Sequence, residues 1–329
     1  MARRSWQALP LVGLLAAGVL YPRLLPGDYF LHLGIVVSLY IILTSSLNLI
    51  MGITGQFAIA HAAFYGVGAY GSILLVTRLG VPYWWAWAAG ILLAGIAALI
   101  IGASTLHLKG AYLAICTFAF SELFRLLLDN WISLTNGANG IIIRFVPPPL
   151  GIPGLFRFDL GSRRSYYYLM FTFALVTVWF VRRLARSDLG RVLGAIRQDE
   201  TLALTAGFDT RRYKLLAFTV GSMYAGLAGA TYAPYLSYIA PDLFDVNETI
   251  YIMMIMMIGG IRSIWGPVWG SILLVSLPQA LDITPLLRMI AYGLVLILVM
   301  IRMPDGLAGF LDRLVSRLRP GGTWFGQKA

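Results

Sequence analysis

Asn48, Thr54, Gln56 and His61 are the polar groups of a glycine-broken stretch, NLIMGITGQFAIAHAAFYGVGAYG, running from Asn48 to Gly71 in an otherwise apolar region. Neutral amide, hydroxyl and imidazole groups can exchange hydrogen bonds with a polar solute without carrying a buried charge. In lipid, these groups and the backbone freed around Gly52 and Gly55 have to face other protein or a water-filled path. Two readings follow from the residues. In one, a discontinuous helix lines a solute route, with Asn48, Thr54, Gln56 and His61 supplying hydrogen bonds and Phe57 and Phe64 supplying apolar surface. In the other, the glycines make a tight turn between two spans and His61 is satisfied within the helix bundle.

Glu122 and Arg125 stand i,i+3, so they meet on one helix face, and Asp129 follows just beyond. An ionisable group at membrane depth invites a functional reading. A neighbouring counter-charge accounts for both groups and favours a structural pair. The histidines, His32, His61 and His107, lie far apart without acidic or cysteine partners at ligand spacing, which argues against a metal site. The chain contains no Gly-Lys dipeptide, hence no phosphate loop of the G-x-x-x-x-G-K-[ST] type, and neither a G-x-S-x-G elbow nor an H-E-x-x-H pair. No catalytic constellation emerges, and Cys116, the one cysteine, allows no disulfide within the chain.

The elements that hold these residues are dictated by composition. Hydrophobic residues make up 59% of the 329 and charged residues 12%, against about 25% charged in soluble domains. With a mean hydropathy of +0.79, this is the composition of a polytopic membrane protein. Apolar runs near 8–25, 30–51, 56–78, 83–104, 111–128, 166–184, 216–237, 246–261, 265–281 and 287–301 predict an all-α helix bundle of about ten spans, several of them broken by glycine. Placing Arg3 and Arg4 in the cytosol puts Lys109, the 182–214 loop, Arg262 and the Arg302–Lys328 region on the same side. Fewer cations fall opposite: Arg23, Arg78, Arg144, Arg157, Arg163, Arg164 and Arg288. Both termini are therefore expected in the cytoplasm. The first span has the flanks of a signal peptide without a cleavage pattern and is read as a retained anchor. The net charge of +11 comes from span ends and one loop, with no basic stripe interleaved with aromatics, which speaks against a nucleic-acid partner.

Residues 1–317 are read as one transmembrane domain, with an outside loop at 129–165 and a cytosolic loop at 182–214, and 318–329 as a disordered tail. Pro147, Pro148, Pro149 and Pro153 argue against a regular domain in the outside loop. The cytosolic loop carries Arg182, Arg183, Arg186, Arg191, Arg197, Arg211, Arg212 and Lys214 against Asp188, Asp199, Glu200 and Asp209. Within it, Gly190 to Ala206 predicts a short helix in two segments that stops at Gly207, where positive φ is expected. Further on, Gly259-Gly260 and Gly266-Pro267 mark a turn, and the G-x-x-x-G spacing of Gly266 and Gly270 favours close helix packing. The methionines 253, 254, 256 and 257 read as core filling.

Gly55-Gln56 to Tyr70, Ser187-Asp188-Leu189-Gly190-Arg191 to Arg197-Gln198-Asp199-Glu200, Ala206-Gly207, Tyr213-Lys214-Leu215 and the Gly259-Gly260 to Gly266-Pro267 turn together resemble the permeases of branched-chain amino acid ABC transporters. The likeness is closest to their M-type subunit and covers most of the chain from the second span onward. Two positions depart from the pattern. Thr135-Asn136-Gly137 stands where the family often has Thr-Gly-Gly, and Asn tolerates positive φ. From Glu200 to Gly207 the importer motif E-A-A-x-x-x-G is matched loosely, with one extra residue.

The resemblance implies a multi-pass permease of the bacterial cytoplasmic (inner) membrane, surrounded by lipid, that imports leucine, isoleucine and valine by alternating access. It implies a homologous second permease, two cytosolic ATPase subunits and an extracytoplasmic substrate-binding protein as partners. ATP and Mg would bind on the ATPases, leaving no cofactor on this chain and no enzyme activity of its own. The cytosolic segment would be the coupling helix, with Arg191, Ala195, Arg197, Asp199, Glu200, Ala203 and Gly207 as its ATPase-coupling residues. Urea or short amides are the alternative cargo within the same family, and a secondary transporter using Glu122 is the alternative class.

Overall fold

A computed structural model describes residues 9–24, 27–149, 159–280, 293–294, 297–299, 301–303 and 305–318. Those residues are mostly helical. The helices are α1 (Leu9–Leu24), α2 (Asp28–Leu47), α3 (His61–Leu79), α4 (Tyr83–Thr105), α5 (Ala111–Asn130), α6 (Ile132–Thr135), α7 (Arg163–Ala185), α8 (Asp188–Gln198), α9 (Glu200–Thr205), α10 (Thr210–Leu236), α11 (Val246–Gly259), α12 (Gly266–Ala280) and α13 (Gly306–Leu318). Among the described residues strand is confined to β1 (Ile141–Ile142) and β2 (Tyr238–Ile239), an antiparallel pair with Ile141 opposite Ile239.

Among the described residues, five helical segments are long and apolar enough to cross a membrane: Asp28–Ile53, His61–Leu79, Tyr83–Thr105, Ala111–Asn130 and Arg163–Ala185. Gly13–Leu24 and Gly266–Leu277 are apolar but shorter. The sequence reading of about ten spans is larger for identifiable reasons. Helix α10 has the length, but it begins Thr-Arg-Arg-Tyr-Lys and is diluted by Gly, Ala, Ser and Thr, while α11 has 14 residues. Most of the 287–301 run, the 319–329 tail and part of the outside loop lie outside the described residues.

The chain divides into two compact units, residues 46–161 with 184–253, and residues 1–45 with 162–183 and 254–329. In the first, α3, α4 and α10 form the packed centre. Small residues set their spacing, because helices in lipid associate through close van der Waals fit rather than expulsion of water. A Cβ on Gly68 would lie 2.2 Å from the Gly226 carbonyl oxygen, and one on Gly229 would lie 2.0 Å from that of Tyr65. Polar side chains then bridge helices: Tyr83 Oη donates to the Ala230 carbonyl at 3.0 Å, and Trp87 Nε1 to Thr231 Oγ1 at 2.9 Å. In the loop after α6, Asn136 takes φ +66° as its place in the sequence predicts, and its Nδ2 donates to the Gly140 carbonyl at 2.8 Å.

The second unit packs by the same rule. Tyr167 Oη donates to the Gly18 carbonyl at 2.9 Å and its ring stacks on Tyr21 with centroids 5.6 Å apart. The expected Gly259-to-Gly266 turn brings α11 and α12 to backbone contact: a Cβ on Gly259 would stand 1.9 Å from the Gly266 carbonyl oxygen, and one on Gly270 would stand 2.2 Å from that of Ile255. Ile255 and Met256 are fully buried.

Candidate functional site

The predicted break between two spans is present, and its chemistry is local. Helix α2 runs into a π-helical turn, Asn48–Ile53, after which residues 55–60 are non-helical until α3 starts at His61. Gly55 makes the corner at φ +77°, where a side chain would be strained. The backbone groups freed here are recaptured. Gly55 N donates to the Met51 carbonyl at 3.2 Å, Gln56 N to Ile50 at 3.1 Å, Ile59 N to Thr117 Oγ1 at 2.9 Å and Ala62 N to Thr249 Oγ1 at 3.0 Å. Burial of unpaired backbone polar groups would cost too much for the break to persist without such partners.

Residues 53–59 alternate in burial, as extended chain does. Thr54, Gln56 and Ala58 point inward, while Gly55 and Phe57 are exposed and Ile53 and Ile59 half-buried. Thr54 Oγ1 donates to the Leu49 carbonyl at 2.9 Å, Gln56 Nε2 to the Lys214 carbonyl at 3.0 Å, and His61 Nε2 lies 2.8 Å from Ser46 Oγ. Asn48 is buried, and Phe64 is buried with its ring centroid 5.5 Å from those of both Phe120 and Phe218. Of the six path candidates, Phe57 alone presents a large exposed surface, 44% of its side chain and backbone area.

The helical hairpin at 187–209 is built by three caps in succession. Ser187 Oγ accepts from Gly190 N at the start of α8, Asp199 Oδ1 from Thr201 N at 2.8 Å and Leu202 N at 3.1 Å at the start of α9, and Asp209 Oδ1 from Arg212 N at 3.2 Å at the start of α10. Each cap satisfies helix-end donors, a gain of about 1 kcal/mol apiece. Gly207 ends α9 at φ +89° with open space around it, so conformation and not room selects glycine.

The chain matches the family described as branched-chain amino acid transport system / permease component over residues 29–300. It belongs to that family. It is 32% identical over 319 residues to the high-affinity branched-chain amino acid transport system permease protein LivM of Escherichia coli (strain K12), an alignment covering 92% of this chain and 75% of that protein. The corresponding LivH permease of the same organism is 26% identical over 83% of this chain and 92% of its own length. The probable LivM permease of Methanocaldococcus jannaschii is 26% identical over 59% of this chain and 55% of its own. With its apolar helices, this family member is a multi-pass membrane protein and a transport component.

Within this permease the hairpin residues divide by direction. Arg191, Ala195, Asp199 and Gly207 are exposed, and Arg191 pairs with Asp188. Ala203 is buried, as are Leu193 and Ile196 of α8. Arg197 and Glu200 turn toward the rest of the unit. Arg197 Nη1 donates to the Gly52 carbonyl. Glu200 gathers Lys214 Nζ at 2.7 Å and Thr210 Oγ1 at 3.2 Å on Oε1, and Lys109 Nζ at 3.3 Å on Oε2. Burial pushes the Glu200 carboxyl up, but the hydrogen bonds and charges of Lys214 and Lys109 outweigh it and hold the group below the ordinary carboxylate value. Leu202, Leu204 and Phe208, absent from the sequence candidates, stand out from the same hairpin into solvent. Their signal was available, since apolar side chains on both sides of a buried Ala203 exceed what one short helix can cover.

The Glu122 and Arg125 pair forms as the spacing predicts. Arg125 Nη2 lies 2.6 Å from Glu122 Oε1 and Nη1 2.7 Å from Asp129 Oδ2, with Asp242 Oδ1 3.9 Å away. Both Glu122 carboxylate oxygens accept from Arg125, so the counter-charge stands in place on the same helix.

Proposed function

We propose that the chain is the M-type permease of an ATP-driven importer of branched-chain amino acids, paired with a homologous permease, two cytosolic ATPases and a binding protein outside. The observation that carries this reading is the match to branched-chain permeases along nearly the whole chain, joined to a capped hairpin rich in exposed apolar residues. The chain crosses the cytoplasmic membrane about ten times, with both termini inside, as the distribution of cations favours.

The hairpin docks in a groove of an ATPase. Leu202, Leu204 and Phe208 supply apolar area, each worth about 1.5–3 kcal/mol when covered, while Arg191, Ala195, Asp199 and Gly207 fix the outline around them. ATP binding favours one arrangement of the ATPases, and the hairpin passes that preference to the permease through its different affinity for each arrangement. The break at 48–61 borders the solute route, with Phe57 and Ile59 on its open side and Asn48, Thr54, Gln56, His61 and Phe64 holding it from behind. An aliphatic side chain suits that apolar face.

Co-expression of the four kinds of subunit and purification through this chain tests the reading. Leu202→Asp with Leu204→Asp should lose the ATPases and keep the second permease. Retention of the ATPases by that double variant would contradict the assigned docking face.

A further inference from the structure

Arg197 lies at the carboxyl end of α8, half-buried, and does two things at once. Its guanidinium donates to the Gly52 carbonyl within the π-turn, and its stem lies across Gly55, where a Cβ would stand 2.9 Å from Arg197 Cγ and 3.5 Å from its Cα. Glycine suits this corner on two counts, its φ of +77° and the Arg197 stem that occupies the place a side chain would take. The foot of α10 closes the arrangement. Glu200, the first residue of α9, holds Lys214 Nζ, and the Lys214 carbonyl accepts a hydrogen bond from Gln56 Nε2 of the broken segment itself. Gln56 Oε1 is buried without a hydrogen-bond partner among the described residues, so this contact fixes the segment from one side only.

A π-turn carries one residue more than an α-turn would use, and a one-residue change of register moves the carbonyls along it and the chain beyond it. The Gly52 carbonyl is one of those groups. A charge-assisted bond from a planar guanidinium is directional, whereas the apolar contacts of the hairpin can slide. Displacement of the hairpin thus reaches the turn as a pull at one named oxygen.

We propose that Arg197 is a positioning residue for transport, a strut that passes movement of the cytosolic hairpin into the π-turn Asn48–Ile53 and so sets the register of the broken segment. It acts within this chain and not on the ATPase surface. The proposal rests on the reading of the chain as an ATPase-coupled permease.

The test uses the assembled transporter in proteoliposomes and compares Arg197→Ala, Arg197→Lys and Gly55→Ala with the unaltered chain. Arg197→Ala should keep its ATPases through purification and lose about tenfold or more in substrate moved per ATP hydrolysed. Arg197→Lys, which keeps a cationic donor group without the planar fork, should recover part of that loss, and Gly55→Ala should reproduce it by displacing the intact arginine. A thiol introduced as Phe57→Cys, in a Cys116→Ser background, reads the segment directly: its reactivity should change with nucleotide when Arg197 is present and stop changing in Arg197→Ala. Loss of the ATPases from Arg197→Ala would make Arg197 a docking residue and overturn the proposal. An unchanged ratio with a nucleotide-dependent thiol would overturn it equally. Failure of the unaltered complex to use ATP at all would instead remove the functional reading beneath it.

Discussion

Lys214 Nζ lies 2.7 Å from Glu200 Oε1, with the two side chains only 9% and 20% exposed. This pair joins the start of α9 to the foot of α10. Lys109 and Thr210 complete the shell around the carboxylate, so the α8–α9 hairpin is anchored by an ionised group that water reaches poorly.

The pH dependence of that anchor follows from the lowered value of Glu200. A depressed folded-state value stabilises the fold above the unfolded carboxylate range, about 4.3, and the gain disappears as pH falls through the lower folded value. Protease protection of the hairpin should therefore be flat near neutrality and fall below about pH 4. Glu200→Gln should lower stability at pH 7 by about 1–3 kcal/mol, and Glu200→Gln combined with Lys214→Met by less, because a lone buried lysine is the costly state. Thermal melts of the three variants in detergent check the ordering.

Close packing of α3 on α10 predicts an asymmetry among glycines. Gly68→Ala puts a methyl group 2.2 Å from a backbone oxygen, which only movement of the helices can relieve, at a cost of about 1–3 kcal/mol or more. Gly194→Ala meets nothing within 4 Å and should be neutral or stabilising by up to about 1 kcal/mol through helix propensity. Detergent melting temperatures of the two variants compare them directly.

At Gly207 the demand is conformational. With φ +89° and open space, Gly207→Val should cost about 1–2 kcal/mol and misdirect the hairpin, while Gly207→Asn should be tolerated better. Insertion should be normal for both. ATP-dependent uptake normalised to the amount in the membrane separates them.

Arg125 serves Glu122 and Asp129 together, so the single changes should differ. Glu122→Gln leaves Arg125 its Asp129 partner and should be mild. Arg125→Gln leaves adjacent carboxylates without a cation and should reduce the amount of assembled protein several-fold, with Glu122→Gln added to it restoring part. Quantitative blotting of membranes provides the measure.

Local rules made part of this structure legible. Glycine spacing marked the break at Gly52 and Gly55, the Gly190–Ala206 pattern ended at Gly207 as positive φ required, and i,i+3 spacing joined Glu122 to Arg125. The direction in which side chains point was harder to read. For Arg197 and Glu200, named as coupling residues, the sequence does not show the contacts within the chain, because their partners, Gly52, Lys109 and Lys214, become neighbours only when α8 and α10 fold against the broken segment. For Thr54 and Gln56, polarity alone does not reveal that alternate residues of an extended segment face inward, where both are buried. Helix α10 is buried through small residues, whose low hydropathy weakens the span signal that longer side chains give.

Uptake of labelled leucine into proteoliposomes tests the central claim most directly, with the binding protein outside, ATP inside, and this chain present with or without its second permease and ATPases. The complete assembly should accumulate leucine only with ATP, and isoleucine and valine should compete for it. This chain alone should accumulate none under a proton or sodium gradient. Gradient-driven uptake by the chain alone, or ATP-driven uptake indifferent to branched-chain competitors, would contradict the account.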